Sequence, residues 1–181
     1  METTEKLTAL IFGSTGLTGR FLTELLLKDS RYDRIILFVR KESKNYHGKI
    51  QQIVFNPDRI EEIKDRITGD QIFCCIGSTI KKAGSKEEFF KIDHHLIVNI
   101  AKAAISNGIK VFSVISSIGA SSKSSNFYLN TKGLTEDVLQ SLDFENLNIL
   151  RPSMLLGIRS ESRPLEEAGK VVFRILGKLM T

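Results

Sequence analysis

Residues 7–28 read LTALIFGSTGLTGRFLTELLLK, and this stretch decides the fold. An apolar run leads into three glycines, Gly13, Gly16 and Gly19, and a helical pattern follows them. Glycine lets the backbone come close to a pyrophosphate, and a helix N-terminus offers free N–H donors and a positive dipole end. The strand–glycine–helix order therefore predicts a dinucleotide-binding turn, with a purely structural turn as the alternative.

The rest of the chain repeats the alternation of strand and helix. The apolar runs are rich in Ile, Val and Phe and read as buried parallel strands. Helical patterns occupy Leu17–Lys28 and Lys86–Ser106, the latter stopped by Asn107-Gly108. This alternation predicts an α/β fold, a Rossmann-type doubly wound parallel sheet, as a single NAD(P)-binding domain over residues 1–181. The six predicted strands are Leu7–Phe12, Arg34–Val39, Ile50–Phe55, Gln71–Ile76, Lys110–Ser116 and Leu147–Leu150.

Two apolar stripes are expected to bury helix faces. The first lies on the helix over 17–28 and the second on a C-terminal helix over about 164–181. Because the sequence stops within the second pattern and without a cap, a docking helix, an interface helix and a truncated chain all stay open. The first stripe consists of Phe21, Leu22, Leu25 and Leu26, and the second of Leu165, Ala168, Val172, Ile175 and Leu179.

Composition excludes several classes of protein. The chain has 181 residues, of which 41% are hydrophobic, enough for a sizeable core in one domain. No apolar run reaches the roughly 18 residues of a membrane span, and the N-terminus does not resemble a signal peptide. The net charge is +5, but charges of both signs alternate, which favours a solvated surface over a nucleic-acid face. We expect a cytoplasmic protein whose adjacent cysteines, Cys74 and Cys75, are reduced core residues.

Cations at the end of the second strand predict the cofactor. An NAD site usually carries an acid there that bonds the ribose 2′-hydroxyl, whereas this sequence has Arg40 and Lys41. Both could pair with a 2′-phosphate, and Arg20 could add a third charge. We therefore expect NADP(H), although ordinary surface cations would look the same. The turn residues expected to contact it are Gly13, Thr15, Gly16, Leu17, Thr18 and Gly19.

A serine, a tyrosine and a lysine form the predicted catalytic set. Tyr128 and Lys132 are spaced i, i+4 and share one helix face. Hydride transfer to a carbonyl leaves an alkoxide that needs a proton, and a phenol with a pKa of about 10 gives one poorly unless a nearby ammonium lowers that pKa. Tyr128 is then the acid/base and Lys132 tunes it. Ser117 or Ser116, at the end of the fifth strand, would bond the substrate oxygen, and we favour Ser117.

Taken together, these residues resemble the short-chain dehydrogenase/reductase (SDR) superfamily. The segments FCCIGSTIKKAG, SSNFYLNTKG and RPSMLLGIRSESRP resemble its atypical group, that of the human Tat-interacting, tumour-suppressor-like oxidoreductase. The resemblance covers nearly the whole chain and implies NADPH binding. It also implies cofactor contacts at Ile76, Gly77, Leu155 and Arg163, besides Tyr128 and Lys132. Asp93 replaces the asparagine that many SDR enzymes carry on the long helix.

The leading hypothesis is an NADPH-dependent oxidoreductase that acts on a small carbonyl or alcohol. The alternative is an NADPH-binding regulatory or scaffold protein that binds a protein partner without turnover, because little chain beyond Pro152 is left to build a substrate pocket. No metal site is predicted, since the neighbours His94 and His95 lack the i, i+4 spacing of a helical metal pair.

Overall fold

The computed structural model describes residues 6–43 and 47–153 of the chain. This part contains six strands, with no helix between the second and the third, and the predicted strands match the observed ones to within two residues at each end. The strands are β1 Leu7–Phe12, β2 Tyr32–Val39, β3 Ile50–Val54, β4 Gln71–Cys74, β5 Val111–Ile115 and β6 Asn146–Leu150. The α-helices are α1 Leu17–Lys28, α2 Ile80–Ala83, α3 Lys86–Phe90, α4 Ile97–Ser106 and α5 Phe127–Gln140.

All six strands are parallel, in the order β3-β2-β1-β4-β5-β6. The chain moves outward from β1 in one direction and then crosses back to β4 and moves outward in the other. The strand order therefore reverses between β1 and β4, and a ligand of an open parallel sheet binds at the carboxyl ends of the strands beside such a reversal. The predicted Rossmann-type doubly wound sheet is confirmed.

Two hydrophobic cores lie on opposite faces of the sheet, because successive strand residues alternate between faces. The larger core contains Phe12 and Phe38, whose rings stack with centroids 4.2 Å apart, and Phe55 meets both rings edge-on. The smaller core lies under α1 and includes Leu26. It consists of Ala9, Ile11, Leu26, Tyr32, Ile35, Leu37 and Val39.

The predicted stripe on α1 is only half buried. Leu26 is buried and Leu22 packs against the smaller core, whereas Phe21 and Leu25 are 55% and 66% exposed. The face of α1 that meets the sheet runs through Gly19, Leu22, Leu26 and Leu27, so it is rotated away from Phe21 and Leu25. The outermost described strand, β6, is also less buried than predicted, since its residues alternate between exposed and half-buried rather than being buried on both faces.

The predicted helix over Lys86–Ser106 is continuous but not uniform. A π-helical turn, Lys91–Leu96, joins α3 to α4. This turn inserts an extra residue into the helix, and π-bulges of this kind are frequent at functional sites. The turn also places Asp93 in the interior, where this residue is fully buried.

In the described ranges, none of the helices is long and apolar enough to cross a membrane. The predicted C-terminal helix over 164–181 lies outside the described residues, as do the predicted cofactor contacts Leu155 and Arg163.

Candidate functional site

The glycine turn between β1 and α1 is built by close backbone packing. Gly13 has φ +83°, a left-handed conformation, and a Cβ there would stand 2.7 Å from the carbonyl carbon of Cys75. A Cβ on Gly19 would overlap the carbonyl oxygen of Gly13 and lie 2.8 Å from the Cα of Ser14. These two glycines are therefore required by the turn itself, and they bring it against the end of β4.

Gly16 differs, because its missing side chain leaves space at the surface. It is exposed and extended, with φ −74° and ψ 171°, and a Cβ there would meet only the carbonyl oxygen of Gly13, at 3.4 Å. Gly16 is also the N-cap of α1, and no side chain caps the helix. An open glycine before an uncapped helix N-terminus fits the pyrophosphate of a dinucleotide. The other predicted contacts in this turn are exposed (Thr15) or half-buried (Leu17 and Thr18).

The predicted 2′-phosphate cations lie where β2 reaches the carboxyl edge of the sheet. Arg40 follows the last residue of β2, and Arg40 and Lys41 are both exposed. Arg20, in the first turns of α1, is also exposed. Because these side chains are exposed, they can turn toward a bound anion without breaking a contact in the protein interior.

The end of β4 forms the next wall of the site. Ile76 packs against the larger core, and its backbone nitrogen lies under the glycine turn, 2.9 Å from where a Cβ of Gly13 would be. Gly77 is exposed. A Cβ on Gly77 would lie 3.8 Å from Nζ of Lys132 and 3.7 Å from Oδ1 of Asp93. The structure thus brings Gly77 next to the predicted catalytic lysine.

Lys132 is buried beside Asp93. Its Nζ lies 2.7 Å from Oδ1 of Asp93, with the two side chains 5% and 0% exposed. The backbone N–H of Ser78 donates to Oδ2 of Asp93 at 2.8 Å, and the Thr135 hydroxyl donates to the Asp93 carbonyl oxygen at 2.9 Å. Asp93 therefore connects the chain after β4 to α5. Sequence reasoning singled out this position but did not foresee the ion pair, because no spacing rule relates the two residues.

Tyr128 lies in the first turn of α5, which Asn126 caps by accepting a hydrogen bond from the Leu129 N–H at 3.1 Å. The tyrosine is half-buried, and its ring contacts Phe89 with centroids 5.4 Å apart. Tyr128 and Lys132 share one face of α5, as predicted. The loop after β5 packs directly against this helix, because a Cβ on Gly133 would overlap the backbone of Ser121.

The structure separates the two serines at the end of β5. Ser116 is buried, and its hydroxyl donates to Oε1 of Glu136. Ser117 is half-buried, and its hydroxyl makes only a 3.4 Å contact with the carbonyl oxygen of Ile118. Of the two hydroxyls, that of Ser117 is the one left available to a ligand.

Sequence reasoning missed Glu136 and Arg151. Glu136 lies one turn beyond Lys132 with its side chain 4% exposed, and Arg151 follows β6. Nε of Arg151 donates to both carboxylate oxygens, at 3.0 and 3.1 Å, and Nη2 donates to Oε2. This carboxylate raises the pKa of Arg151. The i, i+4 spacing of Lys132 and Glu136 was the signal that could have placed Glu136 on the face of α5 that carries Tyr128 and Lys132.

The other candidate ligands have ordinary structural roles. Cys74 lies in the larger core and Cys75 is half-buried, and burial raises the pKa of these thiols to about 12 and about 11. His94 shares a hydrogen bond of 3.1 Å with the Thr135 hydroxyl, and burial lowers its pKa. The residues that the structure describes contain no cluster of His, Cys, Asp and Glu able to hold a metal ion.

Comparison with known proteins gives matches over nearly the whole chain. The family model described as NAD(P)H-binding matches residues 13–172. "Protein HTATIP2" of Rattus norvegicus is 32% identical over 167 residues, which are 90% of this chain and 69% of that protein. "Protein FMP52, mitochondrial" of Meyerozyma guilliermondii is 36% identical over 165 residues, 90% of this chain and 71% of that protein.

Solved structures show the same fold at low sequence identity. The Bordetella bronchiseptica enzyme WbmH, in complex with NAD+, superposes with a TM-score of 0.73 at 17% identity over 96% of this chain. MoeE5, in complex with UDP-glucose and NAD, gives a TM-score of 0.66 at 16% identity over 80% of this chain. The chain spans 63% and 53% of the lengths of these two proteins.

Proposed function

The chain belongs to the NAD(P)H-binding family, and from this premise we propose that it is an NADPH-dependent oxidoreductase of the atypical SDR type that acts on a small carbonyl or alcohol. One observation carries the proposal: Tyr128 and Lys132 share a face of α5, and Lys132 lies beside Gly77 at the carboxyl edge of the sheet. An ion-paired lysine at this depth costs desolvation energy that a purely structural helix would avoid.

The chain's own residues have separable roles in this proposal. NADPH supplies the hydride when it is bound. The Ser117 hydroxyl donates a hydrogen bond to the carbonyl oxygen as negative charge develops on it. Tyr128 donates its phenolic proton to that oxygen, which yields the alcohol, and regains a proton from solvent. Lys132 favours the transient phenolate through its charge. The reverse reaction uses the same groups in the opposite protonation states.

NADPH rather than NADH is proposed because of the cations after β2. No acid follows β2 at the position where an NAD site bonds the ribose 2′-hydroxyl, and Arg40 and Lys41 are exposed there. We expect NADPH to bind more tightly than NADH by about 1–3 kcal/mol, the range of hydrogen bonds to charged groups. Calorimetric titration of both cofactors measures this difference, and equal or tighter binding of NADH would refute the preference.

A matched pair of variants sharpens that titration. Arg40→Asp with Lys41→Ala should remove the preference without unfolding the chain, since both side chains are exposed. Arg66→Asp with Lys64→Ala makes the same change in charge far from the carboxyl edge, in a short helix whose carbonyl at Lys64 accepts from Asn107. If the Arg66→Asp, Lys64→Ala variant weakened NADPH binding as much as the Arg40→Asp, Lys41→Ala variant, the effect would come from the net charge of the protein and not from Arg40 and Lys41.

A regulatory NADPH-binding protein without turnover is the second candidate. The observation that favours it is the Lys132–Asp93 ion pair, because the carboxylate offsets the positive charge on which Tyr128 depends. A panel of aldehydes and ketones, followed by NADPH absorbance, separates the two candidates. No turnover across the panel, combined with a partner interaction that responds to NADPH, would favour the regulatory protein.

Cellular location also stays a prediction. The composition favours a cytoplasmic protein, whereas the FMP52 relatives carry the word mitochondrial in their names. Imaging of the tagged chain against a mitochondrial marker distinguishes the two locations.

A further inference from the structure

Glu136 is a buried acid on the catalytic face of α5. It stands one helical turn after Lys132 and two turns after Tyr128, and its side chain is 4% exposed. It also lines a small cavity together with Lys132 and Ser116. A carboxylate in such a place is costly unless hydrogen bonds satisfy it, so its partners decide what it contributes.

The partners of Glu136 come from two neighbouring strand ends. Ser116, directly after β5, donates its hydroxyl to Oε1, and Arg151, directly after β6, donates Nε and Nη2. The backbone joins the same two strand ends, since the Ser116 N–H donates to the Leu150 carbonyl at 2.7 Å and the Ile118 N–H to the Pro152 carbonyl at 3.2 Å. A single carboxylate therefore connects α5 to both strand ends.

Stability alone does not account for this arrangement. A buried ion pair is often no more stabilising than apolar residues of the same volume, whereas its directional bonds fix one geometry. The geometry fixed here includes Ser117, which follows Ser116, and the chain that leaves β6 at Arg151. Both belong to the edge of the sheet where Tyr128 and Lys132 lie.

We propose that Glu136 is a positioning residue for the oxidoreductase site. It holds the ends of β5 and β6 in register with α5, so that the Ser117 hydroxyl and the Tyr128 phenol face the same substrate oxygen. The inference rests on the proposed function, because positioning matters only if these groups act on one substrate. Glu136 itself contacts neither substrate nor cofactor in this proposal.

The main test compares two Glu→Gln variants. Glu136→Gln keeps the side-chain volume but replaces one acceptor oxygen with an NH₂ group, which donates, so a single oxygen is left to accept from Arg151 and Ser116. Glu145→Gln is the matched control, because Glu145 is 59% exposed and pairs with Lys110 at the opposite edge of the sheet. We expect kcat to fall about tenfold or more in Glu136→Gln through misplacement of the reacting groups, NADPH affinity to stay within about twofold, and the control to change neither.

Hydrogen exchange supplies a measurement that needs no turnover. The Ser116 and Ile118 amides, which bond to the chain of β6, should exchange faster in Glu136→Gln than in wild type, with a local excess over the amides of β1 and β2. Ser116→Ala, which removes one bond and leaves the Arg151 pair, should act in the same direction. Because both changes break the hydrogen bond between Ser116 and Glu136, the double variant should lose little more amide protection than Glu136→Gln alone.

The outcomes separate this inference from the proposed function. If wild type turns over nothing but the local exchange excess is present, the proposed function fails, and only the structural part of the inference stands: Glu136 holds the two strand ends on α5, without a catalytic consequence. If folded Glu136→Gln and Ser116→Ala keep the wild-type kcat and exchange, the inference is overturned. A uniform acceleration of exchange along the chain, without the local excess, also overturns it, because that pattern reports a general loss of stability.

Discussion

In the β1–α1 turn, Gly16 is the glycine that we propose serves a bound ligand rather than the fold. Since a Cβ there meets only the Gly13 carbonyl oxygen at 3.4 Å, Gly16→Val should fold normally, with an unfolding midpoint close to that of wild type. Its side chain should nevertheless displace the pyrophosphate from the helix N-terminus and weaken NADPH binding at least tenfold, the loss of about one charge-assisted hydrogen bond. Calorimetry measures the binding and urea denaturation the stability.

Gly19→Ala provides the contrast to Gly16→Val. Its methyl group would overlap the backbone of Gly13, so this smaller substitution should destabilise the chain more than the larger one at Gly16. If Gly16→Val bound NADPH like wild type, the assignment of Gly16 to the pyrophosphate site would be refuted, because the turn would then be merely structural.

Asp93 neutralises the buried ammonium of Lys132. Asp93→Asn keeps an acceptor for the Ser78 N–H but leaves Lys132 buried without its counter-ion. Removing one partner of a buried pair typically costs about 3–5 kcal/mol, so we expect a loss of free energy of unfolding of that order, measured by urea denaturation. Glu145→Gln, which breaks an exposed ion pair, should leave the denaturation midpoint unchanged. A wild-type midpoint in Asp93→Asn would show that Lys132 is not held by this charge.

The two cysteines should be unreactive in the folded protein. Burial raises the thiol pKa from an ordinary 9.0 to about 12 for Cys74 and about 11 for Cys75, so little thiolate exists near neutral pH. A thiol reagent at pH 8 should modify neither residue until urea is added. Because the folded state holds these protons more tightly, the stability they contribute is complete below pH 9 and is lost as the pH rises through 11 and 12. Rapid labelling of the native chain would contradict this burial.

At the scale of elements, α5 depends on the loop that precedes it. The loop backbone at Ser121 lies so close to Gly133 that a side chain does not fit. Gly133→Ala should therefore push the loop away and cost about 1–3 kcal/mol, as overpacking does, and it should speed trypsin cleavage at the exposed Lys123. Gly48→Ala is the control, because a Cβ there meets nothing within 4 Å. Equal cleavage of both variants would count against the contact.

Regular elements could be predicted from the sequence, because their patterns are local. The strand β1 and the helix α1 have the predicted limits, since an apolar run and the glycines bound them directly. The π-helical turn at Lys91–Leu96 could not be predicted, because no apolar periodicity marks it. Asp93 in this turn contacts Ser78 and Lys132, which are distant in sequence. Periodicity also assigns charged residues to the surface, so Glu136 was passed over although it is buried.

At the scale of the whole molecule, the sheet order determines which predicted residues can meet. The turn after β1, the cations after β2, Gly77 after β4 and Ser117 after β5 all follow parallel strands and so share one edge. The glycine turn, the cations and Ser117 could be predicted, since each was recognised by its place after a strand, whereas Gly77 was expected only from the family resemblance. The Lys132–Asp93 and Arg151–Glu136 ion pairs beneath that edge depend on side-chain contacts between elements distant in sequence, and no local pattern encodes such contacts.

The central claim, that Tyr128 donates the proton in an NADPH-dependent reduction, is tested most directly by the turnover of Tyr128→Phe. This change removes one hydroxyl and keeps the ring against Phe89, so folding and NADPH affinity should change little. With any carbonyl that the wild type reduces, kcat should fall by about 10²–10⁴-fold, the usual effect of removing a general acid. Wild-type turnover in a folded Tyr128→Phe variant would contradict the assignment.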